Sequence, residues 1–126
     1  MAKQKINLKN IAIIFASILI IILIFTFIDY IVHSLSEEYA VPSYYFKNKI
    51  IFGTLWGGVA YFFIRKIKQL YKSLIFSVIV AILLQFGYLI KGYPLSFVLE
   101  FLVIHFLILL FVSYIVFKLM KLVSPK

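Results

Sequence analysis

Residues 11–32, IAIIFASILIIILIFTFIDYIV, run for 22 positions with Asp29 as their one charged side chain. Coiled as a helix the segment is about 33 Å long, which matches the hydrocarbon core of a bilayer. Isoleucine and leucine fall on every side of such a helix, so no face is left for water. A chain holding this segment must either bury it whole in a large core or place it in lipid. At 126 residues, with 13% charged side chains, the chain lacks the polar surface for the first solution. A soluble domain carries about a quarter charged residues.

Three more apolar blocks follow, at 50–64, 74–90 and 97–117. The expected fold is all-α: a polytopic integral membrane protein with four transmembrane helices in an antiparallel up-down bundle. It forms a single domain over residues 1–126, with spans near 11–32, 48–66, 74–90 and 97–117. The second block is short for a crossing, and reaches a workable length when its flanking residues are included and their lysines snorkel to the interface. The first block exceeds the apolar region of a signal peptide, which runs about 7 to 15 residues, and no small-x-small cleavage site follows it. It is expected to remain as a span. SEEY, residues 36–39, is expected to prolong the first helix by a turn or two until Pro42 ends it. Tyr39, Tyr44, Tyr45 and Phe46 beside it suit an aromatic belt at the headgroup level.

The net charge of +9 is explained by where the charges sit. Lys3, Lys5 and Lys9 precede the first block. Arg65, Lys66, Lys68 and Lys72 separate the second from the third, and Lys118, Lys121 and Lys126 follow the fourth. In a four-span chain those segments share one side, while Lys47, Lys49, Lys91 and all four acids fall on the other. This is the positive-inside pattern: a cell-membrane protein with both termini cytoplasmic. The basic residues then act as topology signals, so no nucleic-acid partner is expected, and no nucleic-acid-binding motif accompanies them. The absence of cysteine excludes disulfides, thiolate metal sites and cysteine nucleophiles.

The second block contains GTLWGGVA. Gly53 and Gly57 are four residues apart, and Gly58 and Ala60 follow closely. Small residues at helical spacing let backbones approach in lipid, where packing replaces the hydrophobic drive. They are expected to seat a neighbouring helix of the same chain, in preference to a homodimer seam; the partners expected are the lipid bilayer, with a membrane-protein partner or a homodimer as further candidates. In the third block Ser77, Ala81, Gln85 and Tyr88 share one face, which should point inward.

The polar residues gather at one end. Asp29 and His33 are one turn apart on the same face, and Glu37 joins them if the helix continues. Gln85 lies about 8 Å below the outer end of its helix, and Glu100 and His105 about 5 and 12 Å below theirs. Ionised groups facing acyl chains cost several kcal/mol, so these should turn toward water or one another in an outward-facing polar pocket. Glu100 and His105, five residues apart, diverge by about 140°, so His105 alone is expected to join the first-helix pair.

Three functions fit such a pocket. The leading expectation is an accessory or interaction protein whose polar contacts order the bundle, with no cofactor. The alternative is metal-ion or proton handling by Asp29, His33 and His105, residue types that hold a divalent metal such as zinc or relay protons. A membrane enzyme acting on a lipid or outer-side substrate is the third, and the outer hydroxyls lie in no nucleophile motif that would favour it.

Overall fold

The computed structural model describes residues 8–123, and the side chains as far as Met120. The termini, with Lys3, Lys5 and Lys126 of the charge pattern, lie outside the described residues. The chain is all-helical: α1 (Leu8–His33), α2 (Tyr44–Ile64), α3 (Gln69–Ile90) and α4 (Leu95–Val123), with a short 3-10 turn at Glu37–Tyr39. Among the described residues three helices are long and apolar enough to cross a membrane: α1, α3, and α4 as far as Met120. The first turns of α2 carry Lys47, Asn48 and Lys49 and its middle carries three glycines, and it falls outside that set.

Each helix packs on two others, α1 on α2 and α4, and α3 on the same two. All four contribute to a core that includes Ile18, Ile22 and Phe25, Tyr61 and Ile64, Phe76 and Val80, and Leu109 and Phe117. A second cluster, formed by Tyr45, Tyr88, Phe97, Val98 and Phe101, closes the end where α1 and α3 stop. The outward faces are apolar on every helix, as at Leu23 and Phe27, Phe52 and Phe63, Ile82 and Phe86, and Val103 and Phe111. Two hydroxyls within the helices bond to the carbonyl four residues back, Ser17 to Ile13 at 2.8 Å and Ser77 to Ser73 at 2.7 Å. A hydroxyl satisfied this way needs no water. The buried hydroxyls of Thr26, Thr54 and Ser73 have no partner among the described residues.

Local sequence accounts for the breaks. α3 ends in a Schellman turn: the Tyr93 N–H donates to the Tyr88 carbonyl and the Gly92 N–H to that of Leu89, each at 3.1 Å. Gly92 takes φ +85°, a left-handed conformation that only glycine adopts at little cost. Pro94 then prevents continuation and α4 starts at Leu95. The segment SEEY corrects the expectation stated above, because α1 stops at His33 and does not run on. Ser36 is extended and its hydroxyl accepts from the Glu38 N–H at 3.2 Å, which caps the separate 3-10 turn. Glu37 therefore leaves the face of Asp29 and His33 and is exposed.

The glycines of α2 lie against neighbouring helices of the same chain. A Cβ at Gly57 would stand 2.8 Å from Ile18 Cγ2 and 3.3 Å from the Phe76 ring, and one at Gly53 would stand 3.2 Å from Ile22. Gly58 faces Phe15, and Ala60 is buried as well. Ile18 is β-branched and enclosed, so it has little freedom to yield. Gly57→Leu should therefore lower the stability of the detergent-solubilised protein by about 1–3 kcal/mol, through overpacking. Gly87→Ala, at a helical glycine whose added Cβ meets nothing within 4 Å, should leave the thermal midpoint unchanged or raise it.

Candidate functional site

Repeats of three or four residues bring polar side chains from all four helices, two of them from α1, to a common point. On α1 the buried line Ile18, Ile22, Phe25, Asp29, His33 runs up the core face. On α2 the line is Tyr45, Lys49, Gly53, Gly57, Tyr61. The two glycines that let α2 close on Ile18 and Ile22 thus also bring Lys49 level with Asp29. On α3 it is Ser77, Ala81, Gln85, Tyr88, and on α4 Phe97, Phe101, His105, Leu109.

Asp29, His33, Lys49, Tyr88 and His105 form one buried group, in which Asp29 and His105 are 0% exposed and Lys49 and His33 only 4%. The Lys49 ammonium donates directly to Asp29 Oδ2. It also donates to Tyr88 Oη at 2.6 Å and lies 3.2 Å from His33 Nε2 and 3.4 Å from His105 Nε2. The other carboxylate oxygen, Oδ1, is 3.1 Å from His105 Nε2. His33 Nδ1 faces the Tyr39 carbonyl at 2.5 Å, and its Nε2 is 3.1 Å from Tyr88 Oη.

This pattern assigns the protons. A carbonyl only accepts, so His33 carries a proton on Nδ1, while its Nε2 lies 3.1 Å from Tyr88 Oη and 3.4 Å from Asp29 Oδ2. Tyr88, having accepted from Lys49, donates to that nitrogen. A carboxylate also only accepts, so His105 donates from Nε2 to Asp29. Its Nδ1 has no partner among the described residues, which costs less as a bare lone pair than as an N–H. The group holds one carboxylate, Asp29, and one ammonium, Lys49, with both imidazoles within 3.4 Å of that pair.

Rings seal it. His33 stacks on Phe101 with centroids 4.2 Å apart and planes 1° from parallel, and Phe25 meets His105 edge-on at 5.1 Å. The enclosure is incomplete on two sides. His33 lines a recess with Tyr30, Ser34, Ser36 and Glu37, and Lys49 and Tyr88 lie at the floor of a groove between α2 and α3.

The residues singled out in the sequence separate as follows. Asp29, His33 and His105 come together, with one donor atom from each lying within 4.8 Å of the others. That is an arrangement able to hold a metal ion, but the Lys49 ammonium stands among the same donors, so a metal would have to displace it. Gln85 is buried outside the group, where its Nε2 donates to the Val98 carbonyl at 3.2 Å and its Oε1 has no partner among the described residues. Glu100 is exposed and accepts from Tyr39 Oη at 3.2 Å, a bond that holds the phenol above its ordinary pKa of 10. Lys49 is the member of the buried group that charge position alone does not single out. Its position on the four-residue line through Gly53 and Gly57 is the signal that marks it as inward-facing. Comparison with protein-family models, with curated proteins and with solved structures gives no match to this chain.

Removing one member of a buried ion pair strands the other, at about 3–5 kcal/mol. Lys49→Met and Asp29→Asn should each lower the thermal midpoint sharply in detergent. The double variant leaves no unpaired charge and should be more stable than either single variant, a non-additivity that thermal melts of the four proteins measure directly.

Proposed function

We propose that this chain is an integral membrane protein in which all four helices span. They form an antiparallel single-domain bundle in the cell membrane with both termini cytoplasmic. Two observations support including α2. Its outward face is as apolar as the others, with Ile51, Phe52, Leu55, Trp56 and Phe63 exposed. Of the charges in its first two turns, Lys49 is paired with Asp29, which offsets part of its burial cost. The chain contains no cysteine, so single replacements report sidedness cleanly. A membrane-impermeant maleimide applied from outside should label Ser43→Cys and spare Lys68→Cys.

We further propose that the buried group handles protons on the outer side of the membrane. The observation that carries this reading is the Lys49 ammonium, enclosed among Asp29, Tyr88, His33 and His105. Charged groups at membrane depth are expensive, and a bundle can be ordered without them, so their retention favours a working site over a purely structural one. His33 links the group to the outer recess beside Ser34, Ser36 and Glu37, which gives protons a way in. Toward the cytoplasm Phe25, Ile22, Val80 and Leu109 fill the interior. The reading is therefore of a centre that takes up and releases protons from one side, as suits a pH-responsive accessory protein, with no path drawn across the bilayer.

The chain has two histidines, so nitrogen-15 NMR of labelled protein in nanodiscs resolves both. Lowering the pH from about 8 to about 5, across the usual histidine range, should protonate at least one imidazole, and Asp29→Asn should shift that titration. Two imidazoles that stay neutral throughout, in a protein that remains folded, would leave the group with an ordering role only. The same sample tests a second reading, favoured by the 4.8 Å clustering of Asp29, His33 and His105 donors. Zinc that shifts both imidazoles at once, and does so more readily in Lys49→Met, would point to a metal site that the lysine closes.

A further inference from the structure

The groove between α2 and α3 has the build of a lipid site. Tyr44, Asn48, Phe52 and Trp56 line it from α2 at intervals of four, so they form one stripe along that helix. Leu83, Gly87 and Lys91 line it from α3 at the same interval. Lys91 Nζ stands 5.7 Å from the centroid of the Tyr44 ring, so the polar members of both stripes meet at one end. From there the lining becomes apolar, ending at Trp56 and Leu83 about 12 to 18 Å further along the helices. The cavity measures about 200 Å³, and Gly87 keeps it open, because a side chain there would project into empty space.

The charges specify the occupant. The lining contains two lysines and no carboxylate. Lys49, at the floor, is already matched by Asp29, which leaves the Lys91 ammonium as one uncompensated positive charge at the polar end. A ligand complementary to this groove has a single negative charge, hydrogen-bond acceptors for Asn48 and Lys91, and an apolar chain to lie on Phe52, Trp56 and Leu83. We propose that the α2–α3 groove binds an anionic phospholipid, with the phosphodiester at Lys91 and Asn48 and an acyl chain running past Gly87 toward Trp56. The leaflet involved follows from the topology proposed above. The site itself does not depend on that topology or on the proton reading, and failure of the histidine titration would leave it standing.

Trp56 is the only tryptophan in the chain and lies in the groove, so it reports occupancy directly. The full-length protein is placed in vesicles of brominated phosphatidylcholine, which quenches Trp56, and unbrominated phosphatidylglycerol is titrated in. Fluorescence should recover as though the anionic lipid competes about fivefold better than the zwitterionic one, the preference expected for one lysine at a membrane surface. Lys91→Gln and Gly87→Leu should each bring that ratio close to one, with thermal melts confirming that both remain folded. Lys47→Gln, an exposed lysine outside the groove, should leave it unchanged. A ratio of one in the intact protein overturns the proposal. So does a ratio that survives both groove substitutions, or one that falls equally with Lys47→Gln, since diffuse surface charge would then account for it.

Discussion

A lysine ammonium enclosed in an apolar helical core has to meet a carboxylate, and the contact between Lys49 and Asp29 is the constraint around which the rest is arranged. Each charge alone would carry a desolvation penalty of several kcal/mol, and their attraction offsets it only when the remaining donors and acceptors are satisfied too. Tyr88, His33 and His105 supply those partners, one from each of α3, α1 and α4. Because Lys49 is the contribution of α2, all four helices must be in register along their lengths for the group to close. Slipping any helix by one turn, about 5.4 Å, would leave a charge or a donor without its partner. The polar group therefore adds a register requirement to the one that the glycine seats on Ile18 and Ile22 already set.

The glycines matter to the chemistry for the same reason. Gly53 and Gly57 lie four and eight residues beyond Lys49 on one face, and their missing side chains set how closely α2 approaches Ile22 and Ile18. A lysine side chain is long, but its ammonium reaches Asp29 and both imidazoles here because the backbone beneath it is close. Packing and electrostatics are thus two consequences of a single stripe. The aromatic shell adds the third requirement, a dry environment: Phe101 covers one face of His33, and Phe25 abuts His105.

Much of this was legible in the residues. Long apolar blocks gave the helices, and the four-residue step from Asp29 to His33 gave their common face. The five-residue step from Glu100 to His105 separated those two, one exposed and one buried. Two features were not legible, for definite reasons. Position relative to the apolar blocks placed Lys49 among the outer-side charges and took it for a snorkelling lysine. Snorkelling does explain most lysines near helix ends, and composition cannot tell an outward lysine from an inward one. Only the phase of Lys49 relative to Gly53 and Gly57 distinguishes it. The end of α1 was also misplaced, because SEEY has good helix formers. What stops the helix is the Ser36 cap on the following turn and the return of the chain that brings the Tyr39 carbonyl onto His33, six residues back, side-chain contacts that the apolar pattern does not report.

The turn at Glu37–Tyr39 ties the exposed acids to the buried group. Tyr39 offers its carbonyl to His33 and its hydroxyl to Glu100, so a single residue spans the gap between the enclosed imidazole and an exposed carboxylate. Protonation of His33 at Nε2 would add a second positive charge beside Lys49 and remove the acceptor that Tyr88 uses. The imidazolium would still donate to Tyr39 from Nδ1 and would stand 3.4 Å from Asp29 Oδ2, in competition with Lys49 for that oxygen. Relief is available on the opposite side as well, where Lys49 and Tyr88 border the α2–α3 groove. An anionic lipid headgroup at Lys91 would place negative charge near the end of that groove and so favour movement of the ammonium toward it. Lipid occupancy and proton uptake would then act on the same pair of charges from two faces, each easing the other.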